Sequence, residues 1–204
     1  LQGLKRLMSP PIPMEELLPD LIFITHNHID HFDPIALPEI HKLYPSVPIA
    51  GPESVLKKAK EMGFDENVLT AMPKGTSQSF GPIGIKTVAA YHSDPFSVGC
   101  LIEAEGKCIY YSGDTLLTDK LFEEITASAN LPIEVVFIVI NGRLGNMNVQ
   151  EAIELTVKLK PQTAIPMHYG MFAENTEDPQ LFLNGCAARG IKAIEATLGN
   201  EYEL

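Results

Sequence analysis

Four residues able to bind a metal ion fall within six consecutive positions: His26, His28, Asp30 and His31, in Thr25-His26-Asn27-His28-Ile29-Asp30-His31. Imidazole nitrogen and carboxylate oxygen are donors that suit zinc, manganese or iron. Three more candidates are spread downstream. His92 stands in Ala90-Tyr91-His92-Ser93-Asp94, Asp114 in Ser112-Gly113-Asp114-Thr115, and His168 in Ile165-Pro166-Met167-His168-Tyr169-Gly170. One catalytic zinc takes three protein ligands and keeps a position open. Seven candidates exceed one such site and suit two, with one carboxylate shared. Extended backbone projects alternate side chains to one side, so His26 and His28 can grip a single ion. Asp30 and His31, past a bend, can reach a second.

The elements that must position these groups are readable from apolar patterning. The run Leu21-Ile22-Phe23-Ile24 predicts a buried strand over 21–25, with the histidine-rich loop at its mouth. Ile83–Tyr91, ending before His92, and Cys108–Tyr111, ending before Asp114, predict two more; Thr163–Met167 ends before His168. Each candidate ligand therefore follows the carboxyl end of a predicted strand, where a rigid element can aim it. Val98–Ala104, Ile133–Ile140 and Ile191–Ala196 predict further strands, and Glu201 to Leu204 one more at an edge. Glu105-Gly106-Lys107 marks a hairpin turn. Helices are expected over 34–43, with Asp33 as N-cap, and from Gly51-Pro52-Glu53 to Met62. Three more are expected near 116–127, over Val149–Leu159 and near 178–189; Asn148 and Glu151 fit a capping box. Residues 1–20, with Ser9-Pro10-Pro11-Ile12-Pro13, read as an irregular connection. The whole is one α/β domain over 1–204.

Composition removes other classes of function. With 26 acidic residues against 15 lysines and arginines, the net charge is −11, which argues against nucleic acid or an anionic membrane as partner. Apolar content of 45% without a spanning stretch describes a soluble globular protein. Cys100, Cys108 and Cys186 match neither a disulfide framework nor a paired metal site, so they read as reduced, buried thiols in a cytoplasmic protein. A homo-oligomer is compatible with these residues. His41, inside helix 34–43, reads as a packing or surface residue, and Asp94 as a turn or supporting residue.

His26-x-His28-x-Asp30-His31, followed in order by His92, Asp114 and His168, resembles the metallo-β-lactamase superfamily of dinuclear hydrolases over nearly the whole chain. The resemblance implies a four-layer αββα sandwich and two divalent ions, zinc or manganese, with iron also accommodated. It places His26, His28 and His92 on the first metal, Asp30, His31 and His168 on the second, and Asp114 on both. Asp114 stands where class B β-lactamases carry cysteine, which argues against antibiotic hydrolysis. The tRNA 3′-processing endonucleases share the ligand set, but their tRNA-gripping arm and basic surface are not found in this acidic chain. The segments Ile24–His28, Ile140–Asn146 and Pro166–Gly170 look most like the L-ascorbate-6-phosphate lactonase branch.

Two such ions lower the pKa of a bridging water enough to give hydroxide at neutral pH. The expected reaction is attack of that hydroxide on the lactone carbonyl of a sugar acid or its phosphate. Asp30 would accept a hydrogen bond from the nucleophile, Asp114 would bridge, and Tyr169 would donate to the developing oxyanion. An anionic small molecule needs local positive charge, and only Arg6, Arg143 and Arg189 are arginines. Arg143 is the expected anion-binding group, with Asn141 or Asn146 assisting. A phosphodiesterase using the same hydroxide is an alternative, as is a metal-binding protein without turnover. Members of the superfamily open with a β-hairpin and a strand ahead of the first histidine motif, more chain than the 25 residues present here. The domain is therefore expected to be N-terminally incomplete, lacking those strands.

Overall fold

The computed structural model describes residues 4–202. Short apolar runs pair into two sheets. Ile22–Phe23 (β1), Ile49–Gly51 (β2) and Leu69–Ala71 (β3) form a parallel sheet in the order β1-β2-β3. The second sheet has six strands in sequence order. They are Ser77–Phe80 (β4), Ile83–Ala89 (β5), Val98–Ala104 (β6), Lys107–Tyr111 (β7), Ile133–Val139 (β8) and Thr163–Met167 (β9). Neighbours are antiparallel from β4 to β7 and parallel from β7 to β9. Parallel neighbours need crossovers, and the helices lie in them. Ala36–Leu43 (α1) and Glu53–Glu61 (α2) connect the first sheet; Leu121–Ser128 (α3) and Val149–Leu159 (α4) connect β7 to β8 and β8 to β9, and Pro179–Ala187 (α5) follows.

The alternation of strand side chains sorts the core into layers. Leu101 and Tyr110 pack outward with Leu121, Ile125, Ile153, Leu155 and Phe182 of α3, α4 and α5. Their neighbours Cys100, Ile102 and Tyr111 point the other way, towards Ala50, Met72, Leu21 and Phe23 of the opposite sheet. On the far side, Leu37, Val55 and Ala59 of α1 and α2 cover Ile24, Ile49 and Phe64. Helix, sheet, sheet, helix is the expected αββα sandwich. At the start of α2 the packing is so close that a Cβ on Gly51 would lie 2.7 Å from the Ile24 carbonyl. Only glycine allows β2 to approach the His-bearing strand this nearly.

Several elements differ from expectation in extent. Strand 21–25 is only two residues by ladder, although the Ile24 amide still bonds to Ala50. Asp33 accepts from the amides of Ile35 and Ala36, capping a lead-in turn so that the regular helix starts at Ala36. Helix 116–127 starts at Leu121, after an irregular stretch over 116–120. Ile191–Ala196 is not a strand: a single bridge, Ala193 to Ala164, meets the outer edge of β9. Glu201 and Tyr202 form no strand, and Glu203 and Leu204 lie outside the described residues. Strands β3 and β4 had no sequence expectation. The first is three residues long and the second reads Ser-Gln-Ser-Phe, so neither shows an apolar period.

The Asn148 capping box forms as expected: its side chain accepts from the Glu151 amide, and Glu151 accepts from the Asn148 amide. Asn148→Ala is expected to cost about 1 kcal/mol of stability. Urea denaturation checks this, and an unchanged midpoint would contradict it.

Candidate metal centre

The seven expected ligands converge at the carboxyl ends of β1, β5, β7 and β9. Their loops are fixed by bonds that the ligand side chains do not make. The buried Asp94 carboxylate accepts from the Asn27 amide (3.2 Å), the Ser54 hydroxyl (2.6 Å) and the Phe96 amide (2.9 Å). Lys58 donates to the Asn27 carbonyl at 2.8 Å and sits over the Phe32 ring. The amides of His31 and Phe32 turn back onto the His28 carbonyl, at 3.0 and 2.6 Å. That turn carries Asp30 past the first histidines and folds His31 back beside His26, their ring centroids 4.1 Å apart. Gly113, with φ +56°, brings Asp114 in; a Cβ there would lie 2.9 Å from the Val98 carbonyl and 3.2 Å from Thr25.

Three imidazoles meet in the first group. His28 Nδ1 lies 3.1 Å from both His26 Nε2 and His92 Nε2. The nitrogens facing away have partners: His26 Nδ1 with the Thr25 hydroxyl (3.0 Å), His92 Nδ1 with the Gly145 carbonyl (3.0 Å), and His28 Nε2 with the Ser93 hydroxyl (3.3 Å). A carbonyl can only accept, so His92 carries its proton on Nδ1 and turns a lone pair inward. Burial, followed by the neighbouring His31, pushes the His26 pKa down to about 3; burial and then His92 lower that of His28. Both rings are neutral at pH 7, the form that ligates metal.

The second group joins acid to base. His168 Nε2 lies 3.1 Å from Asp114 Oδ2 and 3.6 Å from Asp30 Oδ2, and His31 Nε2 lies 3.3 Å from Asp114 Oδ1. Burial opposes charge on His168, but Asp114 and Asp30 outweigh it and raise its pKa to about 10. Burial also opposes ionisation of both acids. Bonding to His168 outweighs it, holding Asp114 and Asp30 below the ordinary carboxylate range.

These residues fit divalent cations. Ligand atoms of His26, His28 and His92 lie within 4.8 Å of one another, as do those of Asp30, His31 and His168, and those of His26, His31 and Asp114. The last group takes one histidine from each of the other two, which places Asp114 between them. His31 Nε2 and Asp114 Oδ1 are buried and face each other at 3.3 Å without hydrogen-bond geometry, an arrangement that a cation between them would satisfy.

Among the other expected site residues, Tyr169 lines a cavity of about 860 Å³ whose wall includes Asp30, His31, Asp114 and His168. Arg6 lines it too, whereas Arg143 is exposed on the loop between β8 and α4 and lies off the cavity wall. Asn141 and Asn146, expected to assist with substrate, are buried and bond to each other, and Asn146 also bonds to Asp114. His41 packs on Phe64, away from the centre. The supporting Lys58, Ser54, Gly145 and Asn175 carried no sequence signal, because each acts through a distant backbone or side-chain contact. The three cysteines are buried thiols, and no helix among the described residues is long and apolar enough to cross a membrane.

A family described as "Beta-lactamase superfamily domain" matches residues 1–169. A UPF0173 metal-dependent hydrolase of Thermoplasma volcanium is 31% identical over 201 residues, covering 95% of this chain and 85% of the relative. A protein of the same description from Staphylococcus aureus is 30% identical, covering 83% and 76%. Among solved structures, a possible metal-dependent hydrolase from Veillonella parvula superposes with TM-score 0.77 at 18% identity, covering 96% of this chain and 81% of that one. Igni18, a metallo hydrolase from Ignicoccus hospitalis, superposes with TM-score 0.75 at 24% identity, covering 90% and 80%.

Asp94→Ala leaves the Asn27 amide, Ser54 hydroxyl and Phe96 amide without their shared acceptor. A loss of about 2–3 kcal/mol is expected in chemical denaturation of the metal-free protein. A loss below about 0.5 kcal/mol, the size of an ordinary surface substitution, would contradict the pinning role.

Proposed function

The chain belongs to the metallo-β-lactamase superfamily of metal-dependent hydrolases, and on that premise we propose that it opens the lactone of a sugar acid or sugar-acid phosphate. The observation that carries the hydrolytic reading is the convergence of two ligand trios on either side of Asp114. The narrowing to a lactone rests on the likeness of Ile24–His28, Ile140–Asn146 and Pro166–Gly170 to the L-ascorbate-6-phosphate lactonase branch. A cavity of about 860 Å³ beside the ligands is within the range of small-molecule sites.

His26, His28 and His92 would hold one divalent ion and Asp30, His31 and His168 the other, with Asp114 shared. Such ions supply Lewis acidity towards a carbonyl and lower the pKa of water. The protein groups do the rest. Asp30, held below the ordinary carboxylate range, is ionised at neutral pH and accepts a proton from the attacking water at its carboxylate. Tyr169 follows His168 on the cavity wall, and burial raises its pKa, so its hydroxyl keeps the proton it donates to the carbonyl oxygen. Water adds to the carbonyl carbon, the ring carbon–oxygen bond breaks, and the released alkoxide takes up the proton. Arg6, the arginine on the cavity wall, supplies positive charge for an anionic substituent, whereas Arg143, the group expected from the sequence, lies off that wall.

Zinc- or manganese-loaded protein is expected to hydrolyse members of a sugar-lactone panel and to leave bis-p-nitrophenyl phosphate essentially intact. Turnover of the phosphodiester alone would overturn the lactonase reading. Arg6→Ala is expected to raise KM for a phosphorylated lactone by roughly tenfold or more, the cost of a charge-assisted contact, with little change in kcat. An unchanged KM would remove Arg6 from the site.

A further inference from the structure

The loop 141–148, between β8 and α4, supplies no metal ligand, yet it touches ligands from two other loops. Its Gly145 carbonyl holds His92, and its Asn146 Nδ2 donates to Asp114 Oδ2 at 2.8 Å. Asn146 Nδ2 also donates to Asn141 Oδ1 at 3.0 Å, and Asn141 Nδ2 donates to Asn175 Oδ1 at 2.7 Å. The three asparagines are 1%, 4% and 3% exposed at positions 141, 146 and 175, so water does not compete for these bonds.

The chain of amides has one direction. Asn175 Oδ1 requires the Nδ2 side of Asn141, which turns Asn141 Oδ1 towards Asn146. That oxygen, together with the Asp114 carboxylate, requires the Nδ2 side of Asn146. The consequence is a buried Asn146 Oδ1 with no hydrogen-bond partner among the described residues. A buried acceptor left unmatched is costly, and an amide present only for packing has no reason to bear that cost.

We propose that Asn146, held in orientation by Asn141 and Asn175, is a positioning residue that fixes the Asp114 carboxylate between the two ligand trios. With Oδ2 anchored by Asn146, the carboxylate cannot rotate, and Oδ1 stays directed at His31. Asn175 lies beyond β9 on the segment that also carries His168, so the relay ties the Asp114 and His168 loops together. The proposal rests on the two-ion reading of the centre and assigns Asn141 and Asn146 to metal positioning rather than substrate contact.

The test is zinc affinity, measured by competition with a chromophoric chelator in the absence of substrate. Asn146→Ala and Asn146→Leu are expected to weaken binding by roughly 10–100-fold, as loss of a group that orients a ligand does. They are also expected to change the visible spectrum of the cobalt-loaded protein, while circular dichroism of the metal-free protein stays as in wild type. Asn175→Ala leaves Asn146 and every ligand in place and is expected to give a smaller loss in the same direction. Folded Asn146 variants with wild-type affinity and cobalt spectrum would overturn the relay. So would misfolding of both variants combined with unchanged affinity in Asn175→Ala. Failure of the wild type itself to bind zinc would instead sink the metal-centre reading.

Discussion

The structure depends on an arrangement that the ligands cannot satisfy among themselves. His26, His28 and His92 bring three inward nitrogens together at 3.1 Å steps, each with its outward nitrogen already bonded. His28 Nδ1 can donate one proton or accept one, so it satisfies only one of its two neighbours and the other contact sets lone pair against lone pair, a cost that burial increases. The second trio offsets part of this by sharing a proton between His168 and two carboxylates. A folded chain holds such a cluster only if the surrounding structure overdetermines it. A cation is the species that would relieve it.

The sandwich provides that overdetermination. Four strands from two sheets end at the same place; β1, β5 and β7 are packed on both faces, and β9 is packed on one through Ala164 while Ile165 lines the cavity. Between strand end and ligand, single close contacts set the last few ångströms: Asp94 beneath Asn27, Lys58 on the Asn27 carbonyl, and Gly113 against Thr25. Stiffness in the sheets and specificity in the loops are separate tasks, and different residues perform them.

The candidate ligands were legible in the sequence because metal binding demands particular residue types, and these come just after strands. The two-sheet architecture was implied by the family resemblance that these residues carry, and the structure bears it out. What supports the ligands was not legible. Gly145 acts through its carbonyl, a group every residue has, and Asn175 meets Asn141 across a gap of 34 residues. Strand β3 takes its form from pairing with β2 rather than from its own pattern. Ile191–Ala196 shows the reverse error: its apolar run suggested a strand, but it meets β9 at a single bridge, with Lys192 and Ile194 bonded to Ala164.

The central claim is that Asp114 lies between two cations, each held by one trio. Anomalous diffraction from zinc-loaded crystals, collected above and below the zinc absorption edge, tests it without reference to any substrate. Two peaks are predicted, one among His26, His28 and His92 and one among Asp30, His31 and His168, with the Asp114 carboxylate in contact with both. A single peak, or none at these residues, would contradict the account.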